Sequence, residues 1–374
     1  MNRTPCLPHH LPLTELPWRD LVPLIGRANA TLARYDGMLQ TLPNPAILLS
    51  PMTSNEALVS SRIEGTQATL DEVLEADAGL IASEGRRGDL EEITNYRSAV
   101  SIAESALDAR PITLSLIREV HQRLLQGVRG RDKTLGMFRE DQNWIGRAGD
   151  PIERARFIPP SPQILLGELE AWERYVAIDT EDPILQTAIA HAQFEIIHPF
   201  KDGNGRIGRM LVPLILHKRG ALSRPMFYMS EYLEANRSEY YDRLLAITEA
   251  NDWTGWIRFF LEALINQAES NLEKVRRIRD LYEEVRRKIV EATHSQYAMA
   301  ATDAFFMRPV IAGPIFAEEV GFNNRVTANN MLRQLESGGI IKRIREGSGR
   351  TPSVYVLTEL INITEGRLVF RQAS

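Results

Sequence analysis

The chain has 374 residues, 44% hydrophobic and 25% charged, the balance of an ordinary soluble globular protein with room for roughly two or three folded domains. Its net charge of −5 argues against a protein built chiefly to coat nucleic acid, although a local basic patch stays open. Cys6, the single cysteine, excludes an internal disulfide or a thiolate metal cluster, no apolar run reaches the ~18 residues of a membrane span, and MNRTPCLPHHLP has no signal-peptide core, so a cytoplasmic chain without membrane attachment is expected.

Residues 1 to 50 start proline-rich, with Pro5, Pro8, Pro12 and Pro17, so the first stretch reads as an extended arm and its His9 and His10 as exposed and idle. Helical signals then continue to about residue 270, and strand signals are scarce. SSRIEGTQATLDEVL, from Ser60 to Leu74, reads locally as a helix closing at Gly65 with Glu64 near its end. A loop near 127 to 163 interrupts the helices. Its glycines, its Gly-Asp-Pro turn and the short apolar stretches NWI and RFI predict a hairpin-like flap before Pro159 and Pro160.

Asp182 and Pro183 are helix-start residues, and Ile184, Leu185, Ala188, Ile189, Ala192 and Ile196 follow at helical spacing. A buried helix therefore delivers His198 at its end. HPFKDGNGRIGR, residues 198 to 209, then sets a base, a carboxylate, a glycine-rich turn and two arginines in twelve consecutive positions. Pro199 breaks the helix, Phe200 anchors the loop, and Asp202 stands where it can hold a hard divalent cation; Mg²⁺ suits one carboxylate plus ligand phosphates. Gly203 and Gly205 flank Asn204 just before a helical run, so backbone N–H groups can converge on an anion at a favourable helix dipole. Arg206 and Arg209 share one face of that helix and are expected to read a polyphosphate tail. His121, His191 and His217 read as core or partly buried histidines.

Beyond residue 270, LEKVRRIRDLYEEVRRKIVEA is a long charged helix with Val275, Ile278, Tyr282, Val285 and Ile289 on one stripe. A short helix, a glycine turn, a longer helix from Thr327 and two β-branched strands joined by Gly347-Ser348-Gly349 then look like a winged helix-turn-helix. Lys342, Arg343, Arg345 and Arg350 would make its wing basic, while Arg325, Asn329 and Asn330 open the recognition helix. The same fold also serves as a protein-contact module, and the acidic chain weakens the DNA case.

The 198–209 string matches H-x-F-x-[D/E]-G-N-G-R-x-x-R at every specified position and so resembles the Fic family of protein adenylyltransferases. The resemblance implies a mainly α fold: an N-terminal helical module with an inhibitory helix over 1–110, a Fic catalytic core with a β-hairpin flap over 111–270, a linker helix over 271–299 and a winged helix-turn-helix over 300–374. It implies transfer of AMP from ATP, with Mg²⁺, to a Ser, Thr or Tyr hydroxyl of a target protein, and release of pyrophosphate. His198 would be the base and Asp202 the metal ligand; Asp202, Gly203, Asn204, Gly205, Arg206, Ile207, Gly208 and Arg209 would hold ATP. The flap would place target backbone by strand addition, with Arg154 to Ile158 as its inner strand and Arg156 and Phe157 near the nucleotide. NRSEYYDRLLAI resembles the segment bordering the nucleobase, which makes Tyr240 a candidate contact; a core tyrosine fits equally. Ser60 to Gly65 fits the inhibitory pattern [S/T]-x-x-x-E-[G/N], with Glu64 as inhibitor. Relatives also use other nucleotides or remove AMP, a nucleotide-sensing DNA-binding regulator is the alternative, and a homodimer stays open.

Overall fold

The structure, a computed structural model, describes residues 4–79, 84–127, 134–147, 149–349 and 351–368. Its first helices are α1 (Trp18–Gln40), α2 (Pro45–Leu48), α3 (Ser50–Ile63), α4 (Leu70–Asp77), α5 (Glu84–Leu107) and α6 (Leu114–Leu124). There follow α7 (Pro162–Val176), α8 (Pro183–Ile197), α9 (Asn204–Lys218), α10 (Ser230–Ala235), α11 (Arg237–Ala250) and α12 (Trp253–Thr293). The last part holds α13 (Ala298–Met307), α14 (Gly313–Val320), α15 (Arg325–Ser337) and α16 (Thr358–Glu365), with strands β1 (Val310–Ala312), β2 (Lys342–Arg345) and β3 (Val354–Val356). The fold is mainly helical, as the sequence implies. Among the described residues no helix is long and apolar enough to cross a membrane.

Two compact units form, and neither follows chain order: the first gathers Met1–Asp36, Val59–Thr66 and Glu91–Glu269, the second Gly37–Leu58, Gln67–Leu90 and Ser270–Ser374. The helix expected over 271–299 is the second half of α12, which begins at Trp253.

In the first unit α8 packs against α7, α9 and α11. Asp182 caps α8 by accepting from the Ile184 and Leu185 N–H groups at 3.0 and 2.9 Å, and Pro183 fills the first helical position. Ala188, Ala190 and Ala192 are fully buried and let the neighbouring helices approach, while Ile184, Phe194 and Ile197 fill the gaps. Burying each such large side chain stabilises the fold by about 1.5–3 kcal/mol. Trp172 and Trp256 donate their indole N–H groups to the Ala190 and Ala188 carbonyls, both at 2.8 Å. Removing either indole would open a cavity beside the helix that carries the site.

The proline-rich arm is docked, which corrects the reading of an idle terminus. The Cys6 N–H donates to the Ile158 carbonyl at 3.0 Å, Gln193 donates to the His9 carbonyl at 2.7 Å, and the His9 ring stands edge-on to Trp253 at 5.7 Å. His10 is exposed as expected.

In the second unit the three strands form an antiparallel sheet in the order β1-β3-β2. Asn324 caps α15 by accepting from the Thr327 N–H at 2.9 Å, so the helix begins two residues before Thr327. Val275, Ile278, Tyr282, Val285 and Ile289 of α12 are all buried. Arg343 pairs with Glu336 at 2.7 Å, which removes it from the set of free basic groups; Arg350 lies outside the described residues.

Candidate active site

His198 ends α8 in the left-handed region, with φ 48° and ψ 62°, and its N–H closes the helix on the Phe194 carbonyl. The backbone therefore turns sharply where the base is needed. Its Nδ1 lies 3.3 Å from the Glu195 carbonyl, which can only accept, so Nδ1 carries the proton and Nε2 keeps the lone pair. Burial holds the imidazole down to about 4, although Glu64 and Asp202 oppose the shift, and the ring is neutral at physiological pH. Arg139 braces the turn by donating to the His198 carbonyl at 2.9 Å.

The loop after His198 is held from inside. Phe200 is fully buried and stacks on His121 with centroids 3.7 Å apart. Asn204 clamps both main-chain groups of Phe200, accepting from its N–H at 2.8 Å and donating to its carbonyl at 2.9 Å. The side chain of Asn204 thus serves the loop. His121 accepts from the Gly136 N–H and sets Nε2 3.1 Å from the Asp202 carbonyl, so this core histidine also tethers the carboxylate-bearing turn. Gly203, at φ 80°, starts α9, and its N–H donates to Asp202 Oδ1 at 2.7 Å.

The two arginines of the motif part company. Arg206 is almost fully buried and faces Glu92 at 3.7 Å and Asp202 at 3.4 Å, whereas Arg209 donates to Ser60 Oγ, the Ser60 carbonyl and Glu64 Oε1 at 2.9, 2.7 and 2.8 Å. One helical face does not send both to one ligand. Burial works to lower the Arg209 guanidinium, but Glu64 and its other neighbours outweigh it and hold the group above its ordinary value. Glu64 rests against the first turn of α9, since a Cβ on Gly205 would stand 2.2 Å from its Oε1. Only glycine leaves that seat open.

A cavity of about 930 Å³ opens beside these groups, lined by His198, Gly205, Arg209, Glu64, Glu195 and Tyr241 among others. Arg156 and Phe157 line it too. Asp202, Gly203, Asn204, Arg206, Ile207 and Gly208 are outside its wall, with Ile207 in the core. The flap is thinner than a two-stranded hairpin: Ile145 and Phe157 make a single bridge, and Arg154, expected in the inner strand, ends a 3₁₀ turn over Ile152–Arg154. An ion pair joins Arg156 of the flap to Asp242 of α11.

Tyr240 does not reach the cavity. It is 1% exposed and its hydroxyl meets His191 Nε2 at 3.0 Å, while His191 Nδ1 donates to the Gly208 carbonyl at 2.9 Å. The pair supports α9 from behind. Burial holds His191 down to about 4, hence neutral. Tyr241 is the tyrosine in the wall, with Arg237, Leu244 and Leu245 at helical spacing around it. Asp202 is the carboxylate the sequence offers to a metal. Among the described residues no group of three or more His, Cys, Asp or Glu side chains could hold an ion; a lone carboxylate suits a cation such as Mg²⁺ only where water and substrate oxygens complete its shell.

Residues 22–104 match the family model described as Fic/DOC family N-terminal, and residues 111–216 match the one described as Fic/DOC family, together about half of the chain. The chain belongs to the Fic/DOC family. Similar curated relatives include Protein adenylyltransferase Fic of Aedes aegypti, 31% identical over 43% of this chain and 29% of the relative. Another is the probable protein adenylyltransferase aq_aa38 of Aquifex aeolicus, 28% identical over 50% of this chain and 55% of the relative. These matches span less than two thirds of the relatives' lengths. A crystal structure of a Fic family protein from Desulfovibrio desulfuricans shares the fold with a TM-score of 0.60 at 20% identity, over 94% of this chain and 98% of that one. Fic-1 from C. elegans matches with a TM-score of 0.53 at 22% identity, over 68% and 73%.

Proposed function

We propose that the protein is a protein adenylyltransferase: it moves AMP from ATP to a serine, threonine or tyrosine hydroxyl of a target protein, releases pyrophosphate, and is restrained by Glu64. The observation that carries this reading is one cavity lined both by a neutral imidazole, His198, and by an arginine, Arg209, already paired with a carboxylate. Relatives called protein adenylyltransferases support it.

In this reading His198 Nε2 takes the proton of the target hydroxyl as its oxygen attacks the α-phosphorus, the bond to the bridging oxygen breaks, and pyrophosphate leaves. Backbone N–H groups at the start of α9 stabilise the charge developing on the α-phosphate. Asp202 would hold Mg²⁺, which supplies charge neutralisation at the phosphates. Glu64 occupies the guanidinium that the tail of ATP needs, so a nucleotide that enters is misplaced for attack; misplacement by an ångström can cost about 100-fold in rate.

Incubation with target-containing lysate and ATP labelled at either end tests this. Label from the α-phosphate should appear on protein and label from the γ-phosphate should not. The reverse pattern would identify a kinase and defeat the reading.

A specific observation favours a second role for the C-terminal unit, DNA binding by a winged helix. The exposed positions of α15 include Arg325, Thr327, Asn329, Asn330, Arg333 and Gln334 beside Val326 and Ser337, and no carboxylate, since Glu336 is half-buried and paired with Arg343. Amide and guanidinium groups of this kind suit base edges and phosphates. Retardation of duplex DNA, lost on Asn329→Ala with Arg333→Ala, would support it; equal retardation by that double variant would reject α15 as the reading helix.

A further inference from the structure

Glu195 lines the cavity yet has no task in the transfer described above. It lies on α8 three residues before His198, and its main-chain carbonyl already orients that ring. Its side-chain Oε1 is buried and has no hydrogen-bond partner among the described residues. The carboxyl group is seated against α9, where a Cβ on Gly208 would stand 2.1 Å from Oε1. So this acid is built into the wall next to Arg209.

A carboxylate oxygen buried without a hydrogen bond is costly while charged, a cost avoided by keeping the proton. Burial raises Glu195 to about 8, with Arg209 opposing the shift and Glu64 adding to it. An ionised carboxylate here would repel phosphate. A protonated one offers an O–H, and a hydrogen bond to a charged acceptor is about twice as strong as a neutral one.

Resting on the nucleotide reading above, we propose that the Glu195 carboxyl group binds the tail of the nucleotide, donating its O–H to the phosphate oxygen that Arg209 takes up once Glu64 withdraws. The acid and the guanidinium then form one anion site, a neutral donor beside a cation. Ionisation of Glu195 would instead give Arg209 a second carboxylate competing with the phosphate. Tail binding therefore needs the proton in place, and above pH 8 affinity falls by about tenfold per unit.

Other groups facing Glu195 do not reproduce that signature. His191 and His198 on α8 are neutral above about 4, Tyr241 on α11 is pushed up to about 12 by burial, burial holds Tyr240 well above its ordinary value, and Arg209 on α9 is raised above its ordinary value. Glu64, just past the end of α3, is the remaining charge and is removed in the test.

The test is calorimetric titration of ATP and of AMP, each with Mg²⁺, into the Glu64→Gly protein alone and combined with Glu195→Gln or Glu195→Leu, from pH 6.5 to 9.5. At pH 7 the amide of Glu195→Gln donates in place of the acid, while Glu195→Leu weakens ATP by roughly tenfold, the loss of one charge-assisted hydrogen bond. At pH 9 the protein that keeps Glu195 should bind ATP at least about tenfold more weakly than the Glu195→Gln variant, because removing Glu64 also takes away a charge that raises Glu195. AMP, which lacks the tail, should not distinguish the three, whereas a merely structural role would weaken both nucleotides alike. Parallel ATP profiles with and without Glu195→Gln up to pH 9.5, or equal ATP and AMP losses in Glu195→Leu, would overturn the proposal. If the Glu64→Gly protein bound neither nucleotide, the nucleotide reading itself would fall, a result distinct from either.

Discussion

The guanidinium of Arg209 and the carboxylate of Glu64 meet at 2.8 Å, although 145 residues separate them in the chain. Ser60, one helical turn before Glu64, takes two further N–H groups of the same arginine, so this short segment satisfies most of what a phosphate would otherwise satisfy. Two unit charges about 4 Å apart attract by about 4 kcal/mol at an effective dielectric near 20, before desolvation is subtracted. That is enough to shape the site and small enough to be displaced.

His198→Ala should lower AMP transfer by about 10² to 10⁴ while leaving ATP affinity within a few-fold, because a general base acts on the attacking oxygen and not on the bound nucleotide. The acid limb of the rate profile is set by the same group. With the imidazole held down to about 4, it stays neutral as pH falls through 6.5, and activity attributable to the base should drop only toward pH 4. Single-turnover rates across pH 4 to 8 check this, provided the protein remains folded by circular dichroism. An acid limb centred near 6.5 would assign the base elsewhere or place His198 in a wetter site.

Asp202→Asn should keep the turn, since the amide oxygen can still accept from the Gly203 N–H, but it removes the charge. Mg²⁺-dependent ATP binding should weaken by roughly tenfold or more and recover partly as Mg²⁺ is raised. Titration of ATP at two Mg²⁺ concentrations reads the effect. Affinity that ignores Mg²⁺ in both proteins would remove Asp202 from the metal.

Adjacent tyrosines should behave differently. Tyr241→Ala strips the cavity wall and should weaken nucleotide binding by about 1–2 kcal/mol with little loss of stability. Tyr240→Phe leaves His191 Nε2 unpaired in the core and should cost about 1–3 kcal/mol of stability with nucleotide affinity nearly kept. His191→Ala, which also loses the bond to Gly208, should cost more. Urea unfolding and ATP titration of the three variants separate the roles; a binding loss confined to Tyr240→Phe would restore Tyr240 as the ligand contact.

Much of the site was legible because it is local. From Asp182 to Arg209 the cap, the apolar spacing, the proline break and the glycine turn act within a few residues of one another, and His198 falls where they place it. The family pattern singles out Glu64, but its partner Arg209 was not legible, since no local rule links the end of α3 to α9. Tyr240 and Tyr241 differ by one step on a helix whose charged residues Arg237, Glu239, Asp242 and Arg243 blur the apolar face, so the spacing did not say which faces the cavity. The division of Arg206 from Arg209 depends on Glu92 and Ser60, both remote in sequence. Strand β1 has three residues and exists through its pairing with β3, and the proline arm gains its place from Gln193 and Trp253; both are tertiary effects.

The most direct test of the account is AMP incorporation from α-labelled ATP by four proteins: wild type, Glu64→Gly, Arg209→Ala and the double variant. Freed from its carboxylate, Arg209 should seat the tail of ATP, and Glu64→Gly should raise incorporation, self-modification included, by about 100-fold. Arg209→Ala should stay inactive with or without Glu64, because the anchor itself is gone. Incorporation by Glu64→Gly no greater than by wild type, under conditions where His198→Ala abolishes it, would contradict the account and leave Glu64 a structural partner of Arg209.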